Sequence, residues 1–148
     1  MLCTLLLACC FVNSYSQTAT DSVKQTINNL FQAMKTSNGT LLKSVFTDSA
    51  ILQTISINKA SGAVSVRNEA VQHFADQVSR MPANTADERI TFDMVKVDAD
   101  LASVWTPYQF FYNGSFSHCG VNSFQLVRVK GQWKIQYLID TRRKDGCV

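Results

Sequence analysis

The sequence predicts an α+β fold in which helices pack on one face of a strongly bent, mainly antiparallel sheet. Three observations predict it. Apolar residues recur at helical spacing in the first half of the chain, and they alternate with polar residues from Arg89 onward. Two dipeptides typical of tight turns, Asn113-Gly114 and Lys130-Gly131, separate strand-like runs in the second half. The length of 148 residues predicts a single domain after an N-terminal leader.

The N-terminus carries the pattern of a secretory signal peptide. Residues 2–12 form an apolar run that is too short to cross a bilayer, which takes about 20 such residues. Small residues in Ser14-Tyr15-Ser16 predict cleavage after Ser16, so that 1–16 is the signal peptide and 17–148 is one secreted or periplasmic domain. A second interpretation stays open, because Leu6-Leu7-Ala8-Cys9 resembles a lipobox whose cysteine anchors the protein to a membrane.

Removal of the leader leaves two of the five cysteines, Cys119 and Cys147. In a chain that matures outside the cytoplasm, two cysteines predict one disulfide. Two free thiols are the alternative, since the spacing alone does not establish pairing.

The first half of the domain predicts three helices. The first has Thr20, Asp21 and Ser22 as candidate N-caps and ends at Ser37-Asn38-Gly39, where we expect the glycine to be left-handed. A short second helix begins near Thr40, and strands follow at 50–57 and around Val64 and Val66. The buried positions of the first and third helices are Val23, Ile27, Leu30, Phe31 and Met34, and Val71, Phe74, Val78 and Met81, with Pro82 ending the third.

The two turns predict a strand register, because a two-residue loop fixes which residues face each other. The first loop pairs Phe111 with Phe116, Gln109 with His118 and Trp105 with Asn122; the second pairs Arg128 with Trp133, Leu126 with Ile135 and Phe124 with Tyr137. The inner face under the helices is then Trp105, Gln109, Phe111, Phe116, His118, Asn122, Phe124, Leu126, Trp133, Ile135, Tyr137 and Ile139.

This inner face has the composition of a small-molecule pocket, since it combines aromatic walls with a few polar groups. The candidate ligand-binding residues are Trp105, Gln109, His118, Asn122, Phe124 and Tyr137. A filled core whose polar groups bond to one another is the alternative.

His118 is the candidate for chemistry, because histidine titrates near neutral pH. A general base needs an orienting partner, and in this register no Asp or Glu between 103 and 139 shares its face. We therefore expect His118 to be a hydrogen-bonding residue, and it is the general base if the protein is an enzyme. Asp140 lies at a strand end, where we expect it to pair with Arg142.

The remaining patterns exclude several classes of partner. The histidines and cysteines lack the spacing of a metal site, and no phosphate-binding loop is present, so we expect no metal and no cofactor. With 14 basic and 11 acidic residues, the chain lacks the charge of a nucleic-acid-binding protein. The opposite sheet face, with Tyr108, Phe110, Val127 and Leu138, is apolar enough to predict a homodimer formed sheet to sheet.

Three segments resemble the bacterial lumazine-binding family of the nuclear transport factor 2-like, or SnoaL-like, superfamily: residues 116–126 (FSHCGVNSFQL), 131–135 (GQWKI) and 139–143 (IDTRR). The resemblance covers most of the chain from about residue 20. It implies a cone-shaped α+β barrel around a central pocket, and dimers formed through the outer sheet face.

Three functions are consistent with these patterns, because this superfamily hosts both enzymes and binders. The first is an exported, non-catalytic protein that binds a small molecule inside the cone. The second is an enzyme of isomerase or dehydratase type with His118 as general base, and with Asn122 or Tyr137 stabilising an oxyanion. The third is an accessory or protein-interaction domain whose cone is filled.

Overall fold

The structure, a computed structural model, describes residues 18–58 and 60–147. The predicted signal peptide and its cleavage site lie outside the described residues. The described chain forms three helices and seven strands: α1 (Ala19–Lys35), α2 (Gly39–Ser44), β1 (Phe46–Ile57), β2 (Val64–Glu69), α3 (Val71–Arg80), β3 (Ala86–Ile90), β4 (Met94–Asp98), β5 (Leu101–Tyr112), β6 (Ser115–Val129) and β7 (Gln132–Thr141).

The helices follow the predicted periodicity, but two of their ends differ from the prediction. The N-cap of α1 is Thr18, whose side chain accepts a hydrogen bond from the amide of Asp21. The left-handed residue after α1 is Ser37, with φ 57°. Gly39 instead begins α2, where a Cβ would lie 2.1 Å from Ser79 Oγ, so its role is close packing against α3.

The sheet has the strand order β2-β1-β7-β6-β5-β3, and β4 extends the pairing along β5. The contact between β1 and β7 is parallel, and the other strand pairs are antiparallel. One face carries the helices and the core, whose fully buried side chains include Phe124, Ile27, Leu30, Leu42, Leu126 and Ile135. The predicted α+β fold with a strongly curved sheet is confirmed.

Both predicted hairpin turns are present. Asn113 and Gly114 have φ 49° and 76°, and Lys130 and Gly131 have φ 50° and 80°, which is the left-handed pair that a tight hairpin turn needs. The pairs next to the turns are also as predicted: Phe111 with Phe116, Arg128 with Trp133, and Leu126 with Ile135.

Farther from the turns the predicted register is wrong, because each hairpin contains one extra residue. In β6 the extra residue is Ser117, so Phe110 rather than Gln109 faces His118. Beyond it, Thr106 rather than Trp105 faces Asn122.

The second irregularity lies in β7. Gln136 is the extra residue there, so that Gln125 pairs with Tyr137 and Phe124 pairs with Leu138 rather than with Tyr137. The predicted pairing of Phe124 with Tyr137 is therefore wrong by one position.

These two bulges exchange the faces of half the sheet, since a one-residue shift turns every following side chain over. The β6 residues His118, Asn122, Phe124 and Leu126 lie on the inner face as predicted. The inner residues of β5 are Val104, Thr106, Tyr108 and Phe110, and those of the end of β7 are Leu138 and Asp140. The prediction that Tyr108, Phe110 and Leu138 lie on the sheet face away from the helices is therefore wrong.

The outer face carries the residues that the bulges turn away from the helices. Trp105 is 41% exposed, and Gln109, Tyr137 and Ile139 lie on the same side of the sheet. The predicted inner position of these four residues is wrong.

A disulfide joins Cys119 of β6 to Cys147 in the C-terminal segment, as the sequence predicted. Just before this segment reaches Cys147, Arg143 forms a bridge with Cys119, in which each amide donates to the other's carbonyl at 2.9 Å. The residues that follow β7 are thus held against β6.

Candidate functional site

A cavity of about 260 Å³ lies between the helices and the inner face of the sheet. Its volume is close to the lower end of the range for small-molecule sites, which is about 300–1,000 Å³. Three of its lining residues, Arg67 of β2, Gln77 of α3 and Arg142 just after β7, are exposed, so the cavity reaches the solvent beside these elements. The apolar part of its lining is Leu30, Phe31, Met34, Leu52, Phe74, Val78, Met81, Ala86, Phe110 and Leu138.

A row of polar residues crosses the inner face behind this apolar lining. Thr54, Asp140, Asn122 and Thr106 are neighbours across β1, β7, β6 and β5, and all four are buried. We call the cavity-lining groups on this side the polar wall: Glu88, Tyr108, Asn122, Asp140 and Arg142.

Asp140 is the centre of a hydrogen-bond network in the polar wall. Its Oδ1 accepts from the Thr54 hydroxyl at 2.6 Å, and its Oδ2 accepts from Arg142 Nε at 2.8 Å. The Tyr108 hydroxyl lies 3.3 Å from Asp140 Oδ2 and donates to the carbonyl of Thr141 at 2.9 Å. The Asp140–Arg142 pair is as predicted, and the Arg142 cation and the Thr54 hydroxyl together compensate the buried carboxylate.

Glu88 is the second carboxyl of the polar wall. It projects from β3, and its Oε1 accepts a hydrogen bond from Asn122 Nδ2 at 2.8 Å. Burial raises the pKa of Glu88 to about 7, and the charge of Asp140 adds to this effect against the opposing influence of Asn122 and Arg142. Near neutral pH this side chain is therefore present in both its protonated and ionised forms.

Gly120 allows Tyr108 to reach the polar wall. A Cβ at Gly120 would lie 1.8 Å from the carbonyl oxygen of Thr141 and 2.8 Å from the Tyr108 ring. The close approach of β6 to the end of β7 therefore needs a residue without a side chain. Burial raises the pKa of the Tyr108 phenol, so it stays a neutral hydrogen-bond donor.

His118 lies at the border between the apolar lining and the polar wall. Its ring packs against Phe110 at 4.9 Å and against the edge of Tyr108 at 5.7 Å, and Nδ1 lies 3.1 Å from the Ser117 hydroxyl. Burial and the charge of Arg142 lower its pKa, which favours a neutral imidazole.

The structure brings some of the predicted site residues together and separates others. His118 and Asn122 line the cavity. Phe124 is fully buried in the core behind it, with its ring 6.3 Å from Phe31. Trp105, Gln109 and Tyr137 lie on the outer face, where the Tyr137 hydroxyl donates to Gln53 Oε1.

The search for an acidic partner of His118 between 103 and 139 misses two carboxyls, because Glu88 and Asp140 lie outside that range and line the same cavity. The sequence pattern misses Glu88 because β3 has no tight turn that would fix its register. It places Asp140 correctly at the end of a strand, β7, but it does not reveal that this residue pairs with Asn122 on β6 and with Thr54 on β1.

The described part of the chain contains neither a cluster of metal-binding side chains nor a helix that could span a membrane. No three His, Cys, Asp or Glu side chains are grouped as a metal ion would require within 18–58 and 60–147. None of the helices in the same ranges has the length and apolar character of a membrane span.

The raised pKa of Glu88 predicts a pH-dependent stability. A carboxyl whose pKa moves from 4.5 in the unfolded chain to about 7 in the folded chain binds more protons when folded between these values. Stability is then greatest below the unfolded pKa and is lost as pH rises through about 7, with a total change of about 3 kcal/mol. Urea unfolding at a series of pH values measures this change. Glu88→Gln should remove this part of the pH dependence, and parallel curves for the two proteins would contradict it.

Solved structures similar to this one support the fold. A nuclear transport factor 2-like protein of unknown function from Shewanella baltica OS155 superposes with a TM-score of 0.65 at 11% identity, over 88% of this chain and 100% of its own. A second such protein, from Methylobacillus flagellatus KT, has a TM-score of 0.62 at 16% identity, over 83% and 90%. A protein from Nostoc punctiforme with a cystatin-like fold has a TM-score of 0.65 at 10% identity, over 86% and 95%.

Sequence comparison adds no finer assignment. No family model matches the sequence, and no curated protein matches it significantly. The lumazine-binding resemblance therefore stays a prediction from the three motifs. The fold itself does not depend on them: this chain has the nuclear transport factor 2-like fold.

Proposed function

We propose that this protein binds a small molecule inside the cone, as an exported binding protein without a catalytic step. The observation that carries the proposal is the cavity of about 260 Å³ with apolar walls on one side and the polar wall on the other. A filled core would leave no such space, and an apolar cavity alone would not orient a ligand.

A pair of neighbouring residues on β7 allows a matched test of this proposal. Leu138 lines the cavity, whereas Ile139 is partly buried on the outer face. Leu138→Trp should fill the cavity and abolish binding, and Ile139→Trp should leave binding unchanged.

Native mass spectrometry of protein from its own host shows whether a ligand is present. We expect an additional mass on the wild type and on Ile139→Trp, and none on Leu138→Trp. Equal amounts of bound molecule on both variants would place the ligand elsewhere. A bare wild type whose melting temperature no small molecule raises would favour the accessory or protein-interaction domain.

A proton-transfer enzyme of isomerase or dehydratase type is the second candidate, and the pKa of Glu88 favours it. General acid–base catalysis works best when the group titrates near the working pH, and burial brings the pKa of Glu88 to about 7. Glu88 is a better candidate base than His118, whose pKa is lowered and whose hydrogen-bond partner is the Ser117 hydroxyl rather than a carboxylate.

The two candidate bases are distinguished by conversion of the co-purified molecule. Under the enzyme proposal, wild type and His118→Asn convert it and Glu88→Gln does not. Loss of conversion with His118→Asn alone would assign the base to His118. Recovery of the molecule unchanged from the wild type supports the non-catalytic binder.

We also propose that the protein forms a homodimer through the outer face of the sheet. Leu101 is 49% exposed and Trp105 is 41% exposed, and Tyr137 and Ile139 lie on the same face. A self-complementary contact sheet to sheet would cover this apolar surface. Sedimentation should show a dimer for the wild type and a monomer for Trp105→Lys, and a monomeric wild type would contradict the proposal.

We propose that the protein is exported because its N-terminal sequence resembles a signal peptide. The disulfide is compatible with export, because disulfides persist in oxidising compartments. N-terminal sequencing of the mature protein should begin at Gln17. A lipid on Cys9 would instead support the membrane-anchored alternative.

A further inference from the structure

The hydrogen bonds that the polar wall leaves unmade indicate the chemistry of its ligand. Asn122 Nδ2 donates to Glu88 Oε1 at 2.8 Å. Within residues 18–58 and 60–147, no donor reaches the other oxygen of either side chain, Glu88 Oε2 or Asn122 Oδ1. Both residues line the cavity, so a ligand with hydrogen-bond donors can pair with Asn122 Oδ1 and, when Glu88 is ionised, with Glu88 Oε2.

The neighbouring carboxylate does not compete for these donors. Asp140 accepts from Thr54 and Arg142 and lies within reach of the Tyr108 hydroxyl. Arg142 directs its Nε toward Asp140 and its Nη2 toward Thr54, so the two opposite charges compensate each other. Within the polar wall, the carboxylate and amide oxygens that accept no hydrogen bond from residues 18–58 and 60–147 are therefore Glu88 Oε2 and Asn122 Oδ1.

The charges that line the cavity favour a cation once Glu88 is ionised. Ionised Glu88 adds one negative charge to the compensated Asp140–Arg142 pair. The pKa shifts of His118 and Tyr108 both favour their neutral forms, and on β2 the charges of Arg67 and Glu69 oppose each other. The lining residues from the helices are uncharged: Leu30, Phe31 and Met34 of α1, and Phe74, Gln77 and Val78 of α3.

Aromatic rings line the same cavity. Phe31, Phe74, Tyr108 and Phe110 all contribute to its surface. The face of an aromatic ring attracts a cation, most strongly where water is excluded. An ammonium group can therefore leave water for this cavity with a carboxylate and aromatic rings as its new surroundings.

We propose that the ligand is a lipophilic amine, bound as a monocation whose ammonium N–H groups donate to Glu88 Oε2 and Asn122 Oδ1. This inference rests on the proposed small-molecule binding and names the class of ligand. The hydrocarbon body of the amine lies against the apolar lining from α1 and α3.

Binding of an amine at this position is coupled to the loss of a proton from Glu88. The free protein holds Glu88 with a pKa of about 7, and a bound ammonium stabilises the ionised carboxylate. Binding then releases a proton, and the affinity falls about tenfold for each pH unit below about 7 and is constant above it. A ligand that accepts a hydrogen bond from protonated Glu88 shows the opposite dependence.

Three bicyclic probes of nearly equal shape test the proposal: 2-aminotetralin, whose amine lies on the saturated ring, 2-tetralone and tetralin. They place an ammonium, a carbonyl and no polar group on the same ring system, and aminotetralin stays protonated throughout the range. Calorimetric titration at about pH 6 and about pH 8 should give the highest affinity for aminotetralin, rising about tenfold between the two. Glu88→Gln keeps the shape of the side chain and should reduce that affinity about tenfold or more and remove its pH dependence.

His118→Asn tests the neighbouring histidine: the affinity itself is free to change, because His118 lines the cavity, but the rise of about tenfold between the two pH values should remain. Tighter binding of tetralone or tetralin would overturn the amine proposal while leaving small-molecule binding intact. An amine affinity that is unchanged by Glu88→Gln would also overturn it. If no probe binds, the amine proposal is wrong, and the mass spectrum of the host-derived protein decides separately whether the cavity binds a ligand.

Discussion

Phe124→Ala should destabilise the protein by about 3–5 kcal/mol, which is the usual cost of removing a phenylalanine ring from a packed core. Phe124 is fully buried between the sheet and α1, and its ring meets that of Phe31 edge to face at 6.3 Å. Truncation to alanine removes this contact and leaves a void that the neighbouring side chains fill only in part. The free energy of unfolding in urea, measured at constant pH, gives the loss directly.

Phe116→Ala provides the matched control on the same strand. The sequence predicted both rings on one face, but Phe116 is 46% exposed near the hairpin turn. We expect its replacement to cost less than about 1 kcal/mol. Similar losses for the two variants would mean that no bulge separates the two rings and that β6 pairs in a different register.

Loss of the disulfide should destabilise the protein by about 3–4 kcal/mol, because the bond closes a long loop in the unfolded chain. Cys119 and Cys147 are 28 residues apart in sequence, and their bond holds the C-terminal segment against β6. Cys147→Ser removes the bond with a small change of shape. Urea unfolding of this variant and of the oxidised wild type gives the difference.

Reduction of the wild type is the internal control for this prediction. With a reducing agent, the wild type should fall to the stability of Cys147→Ser, and the variant itself should not respond. If the oxidised and reduced wild type unfold at the same urea concentration, the bond contributes nothing and the prediction is wrong.

The elements of the fold were predictable because their signals are local. Helical periodicity in α1 and α3 depends on neighbouring residues, and the Asn113-Gly114 and Lys130-Gly131 turns need a left-handed backbone that few residues adopt. The strand pairing next to these turns was predictable for the same reason, because each turn fixes the residue pairs closest to it. The end of α1 was less predictable, since Ser37 takes the left-handed position and Gly39 is needed for packing against α3.

The candidate site was harder to predict because it depends on two bulges without a local signature. Ser117 and Gln136 each add one residue, and the strand residues beyond them change faces. This exchange brings Tyr108 and Asp140 into the cavity and takes Trp105 and Tyr137 out of it. His118 and Asn122 were correctly placed on the inner face because β6 kept its predicted orientation under the helices.

The bulges also decide which chemistry the cavity offers. In the predicted register the inner face was aromatic and contained no acid, which favoured stacking of a flat ligand. In the structure it presents Glu88 and the Asp140–Arg142 pair, so recognition by hydrogen bonds and charge becomes the main feature. Because Glu88 lies against apolar walls, its protonation state responds strongly to a bound ligand.

The position of Glu88, inside the cone beside Asn122 and Asp140, is the feature on which the proposed chemistry depends most. The sequence contains two glutamates, Glu69 and Glu88, so selective ¹³C labelling of glutamate gives two side-chain carboxyl signals, and Glu88→Gln identifies one of them. An NMR titration of the ligand-free protein then measures the pKa of Glu88. We predict a midpoint of about 7, whereas a midpoint near the ordinary value of 4.5 would show that this carboxyl faces water and would contradict its placement in the cavity.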